Sequence, residues 1–171
     1  MMIKRLVPAV LLISLTVSPA IAQGGHGHGG PPSCTGCYCS VSATNVNFGT
    51  YDTLLKPTLY STGSISVTCG TDTIGDVMSY DIELSWGKSG SLPREMESGT
   101  NVLTYNLYTD ASHASVWGDG KKFGSSVVSD SYTFTSLCCE VRNYTDYGRL
   151  DGGQNAVPGV YVDDIVVTVS W

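Results

Sequence analysis

"GVYVDDIVVTVSW", Gly159 to Trp171, is the most strand-like run in the chain. Side chains of an extended strand alternate between its two faces, so Tyr161, Ile165, Val167, Val169 and Trp171 share one face. β-Branched residues dominate the run. Such a strand needs a neighbour along each edge, and the sequence places no further segment after it. An edge left open, or covered by another chain, is therefore expected.

The rest of the chain reads as shorter strands of the same kind. In "SISVTC" (64–69), Ile65, Val67 and Cys69 alternate with Ser64, Ser66 and Thr68. In "YDIELSW" (80–86), Tyr80, Ile82, Leu84 and Trp86 alternate with Asp81, Glu83 and Ser85. "VLTYNLY" (102–108) places Leu103, Tyr105 and Leu107 together, and "YTFTSLCCEV" (132–141) is a less regular candidate. "CSVSATNVNFG" (39–49) supplies an early strand with Val41 and Val46, broken near Asn47 to Gly49. The connections "GTDTIGD", "GKSGSLPREMESGT" and "WGDGKKFGSS" are rich in turn residues. With no amphipathic helix, about six strands at this spacing predict an all-β chain, an incomplete immunoglobulin-like β-sandwich short of its C-terminal strand.

Residues 1–22 predict a signal peptide: a basic start "MMIKR", an apolar run "LVPAVLLISLTV" too short to span a bilayer, and the small-x-small pattern Ala20-Ile21-Ala22. Cleavage would leave a chain starting at Gln23, exported and with no membrane span. Residues 23–33, "QGGHGHGGPPS", lack large apolar side chains and predict a flexible tether. Residues 34–171 form the single expected domain. The full chain has 9 Lys and Arg against 15 Asp and Glu; losing Lys4 and Arg5 leaves 7 against 15, a charge of −8. Without a basic stripe, nucleic acid is not an expected partner. The signal's apolar run, Leu6 to Val17, is the unpaired hydrophobic segment of the unprocessed chain and is expected to occupy the open edge.

Several motifs in order carry a resemblance. "CSVSATNVNFGTYD" (39–52), "YNLYTD" (105–110), "WGDG" (117–120), "YGRL" (147–150) with "GGQ" (152–154), and "GVYVDDIVVTV" resemble the spore coat protein U domain family, which includes pilins of the archaic chaperone-usher pathway. The resemblance implies a secreted subunit of a pilus, fimbria or surface fibre active in adhesion and biofilm. Such a subunit is held by a periplasmic chaperone, passed to an outer-membrane usher and completed by a donor strand from another pilin subunit. The acceptor groove would be lined by Tyr161, Ile165, Val167, Val169 and Trp171. In the family the donor lies near the mature N-terminus, and 23–33 has no alternating large apolar residues. A tip or minor subunit, accepting without donating, is one expectation; a donor built through "CTGCYCSVSA" is another. A single-domain adhesin or coat protein binding through the "SLPREMES" or "WGDGKKF" loops is the alternative.

The resemblance also implies a Cys39–Cys69 disulfide. Cys34 and Cys37 are expected to pair with Cys138 and Cys139 in either order, because adjacent cysteines bridge each other only with strain. Zinc at Cys34, Cys37, Cys39 and Cys138 is a weaker possibility in an oxidising compartment. His26 and His28 in "HGHGG" are weak candidates for Cu(II) or Ni(II). No catalytic residue or cofactor is expected. His113 stands without a hydrolase or metalloprotease motif. Asp110 and Asp119 read as turn residues, Asp163 and Asp164 as a solvated pair, and Trp117 as a packing residue. Asn143-Tyr144-Thr145 matches a glycosylation acceptor, set aside because the family is bacterial.

Overall fold

In the computed structural model, residues 9–17, 34 and 36–171 are described. The expected tether, His26, His28 and the Ala20-Ile21-Ala22 cleavage pattern lie outside these residues. The described residues contain ten strands and no helix. They are β1 (Ala9–Val17), β2 (Tyr38–Ala43), β3 (Val46–Tyr51), β4 (Leu59–Gly70), β5 (Val77–Leu84), β6 (Arg94–Ser98), β7 (Asn101–Tyr108), β8 (Val128–Thr133), β9 (Glu140–Leu150) and β10 (Val160–Ser170).

Two sheets pack as an immunoglobulin-like sandwich. One runs β2-β4-β9-β7-β6 and the other β8-β5-β10-β1-β3, joined by a single β6–β10 bridge at Glu97 and Val162. Between them lies one core that includes Val46, Ile65, Val67, Ile82, Leu103, Tyr105, Trp117 and Leu150. The period-two pattern places these residues: Ile65, Val67 and Cys69 are buried while Ser64, Ser66 and Thr68 stay partly exposed. Trp117 is fully buried and its indole N–H donates to the Ile82 carbonyl at 2.9 Å.

The six expected strands are corrected to ten. The early segment is two strands, because the chain leaves β4 after Ala43 and joins the opposite sheet at Val46. Arg94–Ser98, expected as loop, pairs with β7 in a tight hairpin. The longest omission is β9, which forms 11 register pairs with β4. Its inward positions include Arg142, Asp146 and Gly148, so no apolar alternation marks it. Gly148 is needed where it stands: an added Cβ would meet the Phe48 ring and Val46 at 2.9 Å. Close approach of β3 to β9 thus explains the glycine of "YGRL".

The six cysteines lie in three close pairs. Cys39 and Cys69 face each other in the β2–β4 ladder, with Cα atoms 4.1 Å apart, and are bridged. Cys34 lies beside Cys37 and Cys138 beside Cys139. Thr71 stands between them: its amide donates to the Leu137 carbonyl and its hydroxyl lies 3.8 Å from the Cys34 sulfur. Cys34, Cys37 and Asp76 bring ligand atoms within 4.8 Å of one another. Cys39 is committed to Cys69, so the four-cysteine zinc set is not assembled.

Asp146 of β9 is fully buried opposite Gly63, and its carboxylate oxygens make no well-formed hydrogen bond. Burial lifts its pKa to about 6, against a weaker pull from its own amide and that of Gly63. A folded pKa above the unfolded value contributes stability below pH 4 that is lost as pH rises through 6. At neutral pH the loss amounts to about 2–3 kcal/mol. Asp146→Asn is therefore expected to be more stable than the parent at pH 8 and indistinguishable from it at pH 4 in urea unfolding. A gap between the two that does not change from pH 4 to 8 would contradict this origin.

Candidate acceptor groove

β10 has a different neighbour on each edge. One edge meets β5 from Val167 to Ser170, continues through Ser85, whose amide donates to the Val166 carbonyl at 2.9 Å, and touches β6 at Val162. The other edge pairs with β1 in a parallel ladder from Val160 to Val167, and no other strand meets it among the described residues. β1 in turn pairs antiparallel with β3 from Val46 to Tyr51, with a register shift between Leu11 and Leu12. β3 makes no ladder except with β1 among the described residues. The run expected as a signal therefore fills the gap between β10 and β3. Without it, both strands would present bare backbone N–H and C=O groups.

The sequence-derived groove residues are brought together on the core face of β10. Tyr161, Ile165, Val167 and Val169 are buried, and Trp171 is partly buried against the same core. A residue of this face was misread. Asp163 shares its parity and is fully buried, whereas Asp164 points out and pairs with the Lys88 ammonium at 3.4 Å. The Asp163 carboxylate accepts from the Tyr105 hydroxyl at 2.7 Å, the Lys88 amide at 2.9 Å and the Asp164 amide at 2.8 Å. Burial pushes its pKa up, while these donors and the charge of buried Arg94 pull it back. Arg94 donates to the carbonyls of Ser85 and Trp117 and lies over the Trp86 ring. This network sits behind β10 and holds it against β7.

Gln154 is a second residue that sequence reasoning placed only within a motif. Its amide N–H donates to the Tyr51 hydroxyl at 3.0 Å, and its side chain bonds both the amide and the carbonyl of Thr104 at 2.8 Å. The "GGQ" loop thus anchors one end of β3 to β7 at the rim of the groove. At the same rim the Tyr161 hydroxyl both accepts from and donates to the backbone of Val157. The other carboxylates form no joint site: Asp110 accepts from the Ser112 hydroxyl and the amides of Ser112 and Ser115, which hold its pKa down at about 2. Asp119 accepts from the amides of Lys121 and Lys122. Both are turn formers.

The Spore Coat Protein U domain matches residues 35–168, most of the chain. This chain belongs to that family. Protein U of Myxococcus xanthus is 29% identical over an alignment of 184 positions covering 99% of this chain and 98% of that protein. Among solved structures, the chain resembles one from the CsuC-CsuE chaperone-tip adhesion subunit pre-assembly complex of the archaic chaperone-usher Csu pili of Acinetobacter baumannii. The TM-score is 0.53 at 23% identity, over 79% of this chain. It spans only 40% of that solved chain, so the likeness is one of fold. No described helix is long and apolar enough to cross a membrane.

Proposed function

We propose that this family member is an exported subunit of a chaperone-usher type surface fibre, completed by a donor strand laid between β10 and β3. The observation that carries this reading is the position of β1. A segment 20 residues before β2 forms the sole ladder joining β10 to β3 among the described residues. A chain processed after Ala22 loses that segment and keeps both open edges. A periplasmic chaperone, then another subunit, would supply the strand, and an usher would carry the subunit to the cell surface. Main-chain bonding to both edges gives affinity, and the pockets over Tyr161, Ile165, Val167 and Val169 give register.

The lack of alternating apolar residues in 23–33 supports an acceptor that does not donate, hence a tip or minor subunit. The test mixes the chain beginning at Gln23 with a synthetic donor segment from a sister pilin encoded beside it. A one-to-one complex with no self-assembly is expected by native mass spectrometry. Long fibres grown from this protein alone would refute the acceptor-only role while leaving strand addition intact.

A further inference from the structure

We propose that the outer face of the β2-β4-β9-β7 sheet binds a neutral glycan, anchored in an aromatic cleft at Tyr60, His113 and Tyr147. The cleft holds about 360 Å³ and is completed by Ser61 and Thr62. It lies on the sheet that does not contain β10, so the inference stands apart from strand addition.

Register fixes what the face presents, because residues directly opposite in an antiparallel ladder share a face. Tyr60 stands opposite Arg149, and Arg149 opposite Asn106; Thr62 stands opposite Tyr147, and Tyr147 opposite Tyr108. Along the same face come Ser64 with Thr145, then Ser66 with Asn143 and Ser42, then Thr68 with Val141 and Ser40. From Tyr60 to Thr68 the stripe runs about 27 Å at strand rise. Beyond Arg149 these positions carry no charge, and their hydroxyl and amide groups both donate and accept.

The aromatic end exceeds what the loop needs to stay folded. His113 arrives on the β7–β8 connection with a left-handed backbone, φ 57°, and its ring packs edge-on to the nearly buried Tyr108 at 5.1 Å. That contact already holds the loop to the sheet. Tyr60 adds a further ring 5.1 Å from His113 on the solvent side, while remaining 63% exposed. Arg149 lies over Tyr108 at 5.5 Å and uses Nε for Asp151 at 2.9 Å. Its two Nη groups bond no acceptor among the described residues.

A pyranose ring has a C–H face that packs on an aromatic ring and a rim of hydroxyls that need paired donors and acceptors. The exposed Tyr60 ring offers the first and the Arg149 fork with the Ser/Thr/Asn stripe the second. The stripe is uncharged apart from Arg149, whose charge is offset by Asp151 at 2.9 Å, and an uncharged face of hydroxyl and amide groups suits a neutral polymer.

The test titrates the full chain, with its disulfides oxidised, with hexasaccharides of β-1,4-glucose, β-1,3-glucose, α-1,4-glucose and β-1,4-N-acetylglucosamine by calorimetry. At least one should bind. Tyr60→Ala should weaken that binding about tenfold, the loss of one ring contact, and Tyr60→Phe by less than about threefold. Thr145→Glu should also weaken it by placing a carboxylate in the stripe. Tyr60 is exposed, so its variants should melt with the parent. Binding of none of the four at millimolar concentration, or equal binding by Tyr60→Ala, overturns the proposal. So does a Tyr60→Ala effect confined to self-association, which would make the face a contact between copies.

Discussion

A chain lacking residues 1–22 is expected to lose on the order of 10 kcal/mol of stability relative to the full chain, and to regain most of it from an added peptide of sequence AVLLISLTV. The ladders set the scale: β1 forms eight register pairs with β10 and five with β3. Adding a strand that buries about four large apolar side chains is worth about 6–12 kcal/mol. An ordinary domain is stable by only about 5–15 kcal/mol, so the truncated chain stands at the edge of folding. Gln154 and the core packing of Phe48 hold part of β3 in place without β1. The outcome is thus a marginal, aggregation-prone fold with an exposed edge rather than a random coil. Urea unfolding followed by tryptophan fluorescence, with and without the peptide, measures the difference. Equal midpoints for the two chains would mean that the β10–β3 gap closes by itself, and would remove the basis for strand addition.

The fold was legible where a run along one face of a strand is apolar, as in Ile65-Val67-Cys69 and in Ile165-Val167-Val169 of β10. β9 and β6 were hidden for a physical reason. Their inward positions include Arg94, Arg142, Asp146 and Gly148, which break the apolar alternation. Arg94 donates from Nε and one Nη to the carbonyls of Ser85 and Trp117, which local pattern cannot announce. Asp163 shows the opposite failure. Its parity with Tyr161 and Ile165 placed it on the buried face, yet its charge and its twin Asp164 suggested solvent. That β10 needs a further neighbour was legible, but the place of β3 on the far side of β1 was not, since strand switching after Ala43 leaves little sequence mark. The aromatic cleft was illegible because His113 and Tyr60 meet only through folding.

Asp163→Ala is expected to cost about 3–5 kcal/mol, the largest effect of any single substitution in β10. Removing the carboxylate leaves the Tyr105 hydroxyl and the Lys88 amide without their acceptor, each a loss of about 1–3 kcal/mol. It also removes a carboxylate whose charge acts on buried Arg94. Asp163→Asn keeps the shape and an acceptor oxygen, so a loss about half as large is expected. Asp164→Ala removes only an exposed ion pair with Lys88 and should change stability by less than about 1 kcal/mol. The contrast between neighbours is the measurement: denaturant midpoints of the three variants should separate in the order Asp163→Ala, Asp163→Asn, Asp164→Ala. Asp163 lies in register with Ile13 at the middle of the β1 ladder. Its loss should therefore also weaken capture of the AVLLISLTV peptide by the truncated chain, because β10 is no longer tied to β7. Gly87 offers an independent check. It has φ 69°, and a Cβ there would collide with the Asp163 carboxylate. Gly87→Ala should thus destabilise the parent strongly and the Asp163→Ala chain far less, a coupling that a solvated Asp163 would not produce.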